Sequence, residues 1–553
     1  MLNQNQAKLI VLIILDGWGI APAGPGNAIS LAKTPNISSY LAAYPHAQLT
    51  ASGESVGLPK GEVGNTETGH LNLGAGHIVY QDLPRINMAI ADGNFFKNRE
   101  FHQAIDHVFN SKGTIHLIGL IGGGGVHSNN EHLFALMRLA AQQGFPNVFL
   151  HLITDGRDSP PTSALAYLGQ IRAEIAKTGV GQIATVTGRY WAMDRDFHWD
   201  RTERAYKAMT VGTGNHFRTP EDAIQFAYSK RVTDEFVEPS VIVDNYDQPI
   251  SLIKSGDSAI FFNYRIDRPR QLTQVFTMDN FETEANNVLS FDPYNVKEFK
   301  THLAIPVNVR DRMAPFKRGP KISDLYFVTM TKYDDSIPAH VAFPPEVVNN
   351  PMGRIISDVG MRQLRAAESE KERFVTFYFN GQRENPFPGE NRLIIPSPKV
   401  PTYDQKPEMS AVKLTDEVIS QIKHNNYQFV VLNYANADMV GHTGIIPAAI
   451  KACEVIDTCV ARIVNEVKAM GGVTIITADH GNVEEMVDSH TGGSDTEHSI
   501  SAVPFIAIGA SPDPRTLPAG ILADVAPTAL YLLGIKPPPD MTGRNLMAFW
   551  VDI

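Results

Sequence analysis

Apolar residues in this chain fall into short unbroken runs, and several of the runs end on the same kind of group. "KLIVLIIL" stops at Asp16. "YQFVVLNY" leads to Asp438 and His442. "GGVTIITA" delivers Asp479, His480 and Gly481. Continuous β-branched and aliphatic runs, without apolar/polar alternation, describe strands covered on both faces. A second set, "TIHLIGLIGGGGVHSN", "NVFLHLITDGRDSP", "QIATVTGRYWAMDRD" and "SAIFFNYRIDRPRQL", lies between residues 114 and 272, and each run ends in a turn with polar or basic residues. Helix-like segments separate the runs, which predicts α/β layers. The strand ends at 16, 438 and 479 lie outside the 114–272 interval. The simplest organisation is therefore a discontinuous domain, 1–80 plus 316–553, with a second α/β domain inserted at 81–315. The Pro-rich "RENPFPGENRLIIPSPKVPTYDQKPEMS" lacks helical periodicity and reads as an ordered surface excursion near 383–410.

Composition narrows the class. The 553 residues are 43% hydrophobic and 19% charged, with a formal net charge of -11, which argues against a general nucleic-acid-binding surface. Cys453 and Cys459 are the only cysteines, so no disulfide framework is expected. The first apolar run ends at Asp16 with no small-residue cleavage site and reads as a core strand rather than a signal peptide. No apolar stretch reaches membrane-spanning length, and a cytoplasmic enzyme is the expectation.

Carboxylate and imidazole at the ends of parallel strands are suited to a divalent metal. Asp16, Asp438, His442, Asp479, His480 and His498 together can supply a two-metal site. Mixed nitrogen and oxygen donors favour manganese or zinc over calcium. Glu484 and His490 read as groups that support the ligands from behind or lie on the surface. Thr66, in "GLPKGEVGNTETGHLNLGAG", has two readings: a hydroxyl nucleophile at a helix N-terminus, where free N–H groups favour a phosphoryl group, or a plain N-cap. Arg157, Arg189, Arg195, Arg265 and Arg268, with Asp158 and His127, follow the second set of strands and suit a small molecule bearing phosphate and carboxylate. Asp158 can move a hydroxyl proton. Lys371, in "AAESEKERF", adds a point charge from the other domain. "GLIGGGGVHSNN" is neither a P-loop nor a dinucleotide fingerprint.

The stretches "ILDGWG", "GNTETGHLNLGAG", "GGVHS", "DGRD", "GRYWAMDRD", "FFNYRIDRPRQL", "AESEK", "PSPKVPTYDQKPEMSA", "NADMVGHTG", "TADHGN" and "MTGRNL" closely resemble the cofactor-independent (2,3-bisphosphoglycerate-independent) phosphoglycerate mutases of the alkaline phosphatase superfamily. The resemblance implies an alkaline phosphatase-like metal domain carrying an inserted α/β domain. It implies interconversion of 3-phosphoglycerate and 2-phosphoglycerate in glycolysis and gluconeogenesis, by a monomer whose two domains close over substrate. By the same resemblance, Asp438, His442 and His498 hold one manganese, and Asp16, Asp479, His480 and the Thr66 hydroxyl hold the other, with other divalent ions possible. Arg157, Asp158, Arg189, Arg195, Arg265, Arg268, His127 and Lys371 form the implied substrate set. Two departures stand out: Thr66 replaces the usual serine, and Gly122-Gly123 and Asn130 replace Ser-Asp and His around "GGVHS". Threonine can still form a phosphoryl ester, but its methyl restricts χ1 and predicts slower chemistry. Rival readings are a metal-dependent phosphatase, a phosphopentomutase-like phosphosugar enzyme and a noncatalytic phosphate-binding module.

Overall fold

The computed structural model describes residues 7–287, 312–488, 491–510 and 516–548; His490 lies outside them. The chain divides into two compact units, Met1–Gln81 with Glu346–Ile553, and Asp82–Pro345. Each is built on its own mostly parallel sheet, so the second is inserted into the first.

In the first unit the strands are β1 (Ile10–Leu15), β2 (His46–Thr50), β11 (Gln363–Glu368), β12 (Glu390–Ile395), β13 (Phe429–Tyr434), β14 (Val473–Thr477), β15 (Val503–Ile508) and β16 (Gly520–Ile521). Their order is β12-β11-β13-β1-β14-β15-β2-β16. β12 through β14 run parallel, and β15 is antiparallel to both of its neighbours. Every residue of β1, β13 and β14 is buried, as their unbroken apolar runs require of central strands covered on both faces. The long helix Ile446–Ala469 packs on β1 and β14 and buries both free cysteines.

In the second unit the strands are β3 (Ile115–Ile121), β4 (Val148–Thr154), β5 (Gln182–Gly188), β6 (Asn215–Phe217), β7 (Ser240–Ile242), β8 (Ser258–Phe261), β9 (Tyr326–Thr331) and β10 (His340–Phe343), ordered β10-β9-β8-β3-β4-β5-β7-β6. All pairs are parallel except β5 with β7.

One expectation needs correction. The return to the first unit comes at 345/346 rather than 315/316, because β9 pairs with β8 and β10 with β9, which keeps both strands in the inserted sheet. Within the 383–410 excursion, Glu390–Ile395 forms the edge strand β12 on β11. Among the described residues, no helix is long and apolar enough to cross a membrane.

Glu368 ends β11 in the interior. Burial pushes its carboxyl up to about 7, against the opposing hydrogen bond from the Ser410 N–H at 2.9 Å. The ordinary value is 4.5, so folding tightens proton binding. The resulting stabilisation is full below the unfolded pKa and is lost as pH rises through about 7. Glu368→Gln, neutral throughout, is expected to melt above the parent chain at about pH 8 and to converge with it near pH 5. Thermal melts with equal pH slopes would contradict this.

Candidate metal centre and arginine cluster

β1 lies between β13 and β14, with Leu15 opposite Tyr434 and Ile14 opposite Thr477. The residues just beyond these three C-terminal ends therefore become neighbours. Asp16 follows β1 directly. Asp438 sits on the one-turn helix Asn436–Gly441, which also aims His442 at the same point. Asp479 and His480 follow β14, and His498 arrives on the segment before β15. All three carboxylates are buried.

The protons on two imidazoles can be assigned from their partners. His442 Nδ1 lies 2.7 Å from the Thr496 carbonyl oxygen, and His498 Nδ1 lies 2.9 Å from that of Gly64. Carbonyls only accept, so each Nδ1 donates and each Nε2 presents a lone pair. Those Nε2 atoms are 3.1 Å apart, and each is 3.2 Å from Asp438 Oδ1. Three lone-pair donors this close repel one another unless a positive charge sits among them. The spacing is that of donors about 2.1 Å from one shared ion. A proton can serve one of the nitrogens, and Asp438 does hold His442 above its ordinary value against burial. A divalent ion serves all three donors at once, so the residues fit one.

His480 joins this group to the rest. Its Nε2 is 2.9 Å from Thr66 Oγ1, 3.5 Å from Asp479 Oδ2, 3.6 Å from Asp16 Oδ1 and 4.0 Å from Asp438 Oδ1. Asp479 Oδ2 is buried without a well-aligned hydrogen bond, as a ligand oxygen would be. Potential ligand atoms thus gather in two clusters, Asp438 with His480 and His498, and Asp16 with His70 and Asp479. Burial opposes ionisation of Asp438, but Lys371 and His442 outweigh it and hold its carboxyl well below the usual range. Burial likewise opposes the charged form of His480, yet Asp479 and Asp16 raise its pKa to about 9.

Lys371 was expected with the arginines. The structure instead buries it at this centre, on the short turn that follows β11. Its Nζ donates to Asp16 Oδ1 at 2.6 Å, Asp438 Oδ2 at 2.7 Å and Thr66 Oγ1 at 3.1 Å. β11 neighbours β13, which is why a residue remote in sequence arrives here. The cap reading of Thr66 also falls. Thr66 is the first residue of the helix Thr66–Ala75, and Asn65 is the cap, its side-chain oxygen accepting from Thr68 N at 2.9 Å. The Thr66 hydroxyl is left to the cluster.

Glu484 is an interior organiser rather than a surface group: its Oε2 accepts from Gly19 N and Asn482 N, each at 2.9 Å. Sequence reasoning missed His70, Asn433 and Asn482. Asn433 Nδ2 donates to Asp16 Oδ2 at 2.7 Å, and Asn482 Nδ2 donates to Asp438 Oδ1 at 3.2 Å. The one available signal was that His70 falls a helical turn after Thr66, on the same face.

In the second unit the expected groups follow the C-terminal ends of adjacent strands β8, β3, β4 and β5, the usual ligand edge of such a sheet. Arg189 Nη1 donates to Asp158 Oδ2 and Asp155 Oδ1, each at 2.5 Å. Burial raises the Asp158 pKa, but Arg189 more than reverses this and keeps the carboxylate ionised. Arg195 and Arg265 converge on Asp267, at 2.8 and 3.1 Å. His127 lies between Asp158 and Asp267, 3.6 Å from each, and burial pushes its pKa down to about 3, so the ring is neutral. Arg157, Arg189, Arg195 and Arg268 line a cavity of about 300 Å³, with Arg201 beside them. Burial, then Arg189 and Arg195, push Arg268 down to about 10, the mark of crowded cations. Sequence reasoning missed Arg201 and the two buried organisers Asp155 and Asp267. Asp155 directly follows β4, so the rule that found Asp16 could have found it. Where the resembling family carries Ser-Asp, a Cβ at Gly122 would stand 2.6 Å from Ser159 Oγ, and one at Gly123 would stand 2.6 Å from Tyr167 Oη. Hydroxyls from the next strand's loop and helix fill that space.

Comparison with known proteins decides the family. The model described as "BPG-independent PGAM N-terminus" matches residues 86–335. The 2,3-bisphosphoglycerate-independent phosphoglycerate mutase of Chloroflexus aggregans is 49% identical over 549 residues, covering 98% of this chain and 99% of that one. The chain belongs to this mutase family. The Moorella thermoacetica mutase is 47% identical over 97% of the chain and 98% of its own length. Crystal structures of Leishmania mexicana phosphoglycerate mutase at low cobalt concentration include one that matches with a TM-score of 0.57 and 28% identity, over 98% of each chain. The mutase-family fold is thus an alkaline phosphatase-like α/β domain with a second α/β domain inserted.

The His442 side chain is 42% exposed, so its removal should spare the core. His442→Ala is expected to weaken divalent-ion binding at the Asp438 cluster by at least about 10-fold while leaving the melting temperature of the metal-free chain within a few degrees. Calorimetric titration with Mn²⁺, paired with thermal melts, checks both parts.

Proposed function

We propose that this chain interconverts 3-phosphoglycerate and 2-phosphoglycerate without a 2,3-bisphosphoglycerate primer, as a cytoplasmic monomer, with Thr66 carrying the phosphoryl group between the two substrate oxygens. The observation that carries this reading is the Thr66 hydroxyl. It stands at a helix N-terminus, released from capping, 2.9 Å from His480 Nε2 and 3.1 Å from Lys371 Nζ. End-to-end similarity to chains that bear the mutase name supports it.

Two divalent ions, manganese in this reading with other divalent ions acceptable, held by Asp438, His442 and His498 and by Asp16, Asp479, His480 and Thr66, would lower the pKa of the Thr66 hydroxyl and neutralise phosphoryl oxygens. The Lys371 ammonium and the helix N-terminus add fixed positive charge at Thr66 Oγ1, where the phosphoryl group attaches. As the bond to phosphorus forms from Thr66 Oγ1, its proton already lost to solvent, the bond from phosphorus to the C3 oxygen of glycerate breaks. The released C3 alkoxide and the C2 hydroxyl then differ by one proton. Asp158, kept ionised by Arg189, takes that proton from C2 and delivers it to C3. The C2 oxygen attacks the phosphothreonine, and Thr66 is restored. Arg157, Arg189, Arg195, Arg265 and Arg268, with the neutral His127, retain the glycerate between the two transfers, the guanidinium forks on its carboxylate. Water must be kept out while the ester exists, or it hydrolyses.

Phosphorus NMR of 3-phosphoglycerate with the Mn²⁺-loaded chain and no bisphosphate tests this directly. Conversion to 2-phosphoglycerate with total phosphoglycerate conserved is the expected result. Steady release of inorganic phosphate would favour the phosphatase reading, and a preference for ribose phosphates the phosphopentomutase reading. Thr66→Ala is expected to reduce mutase turnover by at least about 10³-fold with ion binding largely retained; near-parental turnover would remove Thr66 from the nucleophile role. Arg265→Ala is expected to raise KM for phosphoglycerate about 10-fold or more, with little change in melting temperature. Unchanged kinetics would take Arg265 out of the pocket.

A further inference from the structure

The helix that presents Thr66 also buries His70, whose side chain is fully enclosed against β13 and the end of β14. The helix comes this close because residue 69 is glycine: a Cβ there would stand 2.5 Å from the Asp479 carbonyl oxygen. His70 Nδ1 is 2.9 Å from the Thr66 carbonyl oxygen and 3.2 Å from Asp479 Oδ2. Both are acceptors, so Nδ1 bears the proton and Nε2 bears the lone pair. Asn433 Nδ2 lies 3.0 Å from that lone pair and 2.7 Å from Asp16 Oδ2. A carboxylate at that distance accepts, so the nitrogen side of the Asn433 amide faces both partners. One amide proton goes to Asp16 and the other to His70.

The result is a closed chain of donors. Asn433 holds Asp16 and the back of the imidazole, and the imidazole holds the Thr66 backbone through its Nδ1–H and stands in 3.2 Å electrostatic contact with Asp479 Oδ2. Both ring nitrogens are engaged. His70 therefore has no lone pair left for an ion, although it falls within one of the two ligand clusters. We propose that His70 is a positioning residue. Through Asn433 on one side and the 3.2 Å contact of its Nδ1 edge with Asp479 Oδ2 on the other, it fixes the orientation of Asp16 and Asp479 as ligands of the second ion, and its Nδ1–H anchors the helix turn that presents Thr66. The inference rests on the two-ion reading above and adds a residue to it. Groups that orient metal ligands in this way set affinity, and their loss costs roughly 10–100-fold.

The test is Mn²⁺ titration of the full chain by calorimetry, with electron paramagnetic resonance to follow coupling between neighbouring ions. The parent chain is expected to bind two equivalents; if it does not, the two-ion reading fails before His70 is in question. His70→Leu, which keeps the bulk and loses both nitrogens, is expected to weaken one equivalent about 10–100-fold, leave the other within about threefold and abolish the coupled signal. His70→Asn places an amide N–H where Nδ1–H stood and is expected to recover most of the affinity. Asn433→Ala approaches the same chain from the other end and should weaken the same equivalent, which keeps the inference open to refutation if His70→Leu fails to fold. Two parental equivalents in His70→Leu, or in Asn433→Ala when His70→Leu is unfolded, would overturn the positioning role. So would equal weakening of both equivalents. Leu outperforming Asn would make His70 a packing group, and failure of Asn to recover any affinity would make it a ligand.

Discussion

Three carboxylates buried at one end of a parallel sheet set the terms for the first unit. Asp16, Asp438 and Asp479 are each no more than 2% exposed. Ionised carboxyls in such a place repel one another and are strongly disfavoured without counter-charge. The fold supplies that charge from elements far apart in sequence. Lys371 comes on the turn after β11, His480 on the loop after β14, and His442 on the helix after β13. Each depends on the strand order, because only β11-β13-β1-β14 adjacency brings these loops to one point. The all-buried runs of the central strands hold that order, and slipping any of them by one residue would reverse which side chains face each way. The chemistry is thus a by-product of a charge-balance problem that the sheet creates and its loops resolve.

This explains what could be read in advance. A continuous apolar run ending in Asp is a local signal; Asp16 and Asp479 carry it, and Asp438 follows the end of its run by four residues. His442 and His498 needed only one more step, the spacing to Asp438 and the proximity to the next apolar run. Lys371 carried no local signal of its placement. A lysine in "AESEK" looks like any solvated cation until β11 is known to lie beside β13. The junction near 315 was misplaced for a similar reason: β9 and β10 are short strands whose membership is fixed by partners in β8 and β9 rather than by their own pattern. In the second unit, attention to cations found the arginines and passed over Asp155 and Asp267, the buried acids that orient them.

The Asn65-Thr66 pair shows the limit of local reading most clearly. Both residues are good helix caps, and sequence alone cannot say which performs that task. The backbone decides. Asn65 is extended, with its side-chain oxygen on Thr68 N, and Thr66 has already entered the helix. A hydroxyl engaged in capping would be turned toward its own helix, whereas one relieved of capping is available to a charged partner. The adjacent asparagine therefore frees the threonine hydroxyl for the buried cluster.

The second unit poses the opposite electrostatic problem and solves it in the same manner. Several guanidiniums lie around one cavity, and crowding depresses Arg268 in addition to burial. Left alone they would splay into solvent, and an incoming anion would have to gather them at an entropic cost. Asp267 instead holds Arg195 and Arg265, and Asp155 holds Arg189 along with the backbone N–H of Asp158 at 3.1 Å. Both acids are nearly inaccessible, so they cannot themselves meet a ligand. Their charge offsets repulsion among the arginines without filling the cavity, and their fixed positions fix those of the forks. The asymmetry between the partners of Arg189 follows from burial. Asp155 is enclosed and acts as a fixed anchor, whereas the Asp158 side chain, bonded to the same nitrogen, is 22% exposed and stays charged at the solvent edge through Arg189. Two chemically identical carboxylates on one guanidinium thus differ in which of them is open to solvent.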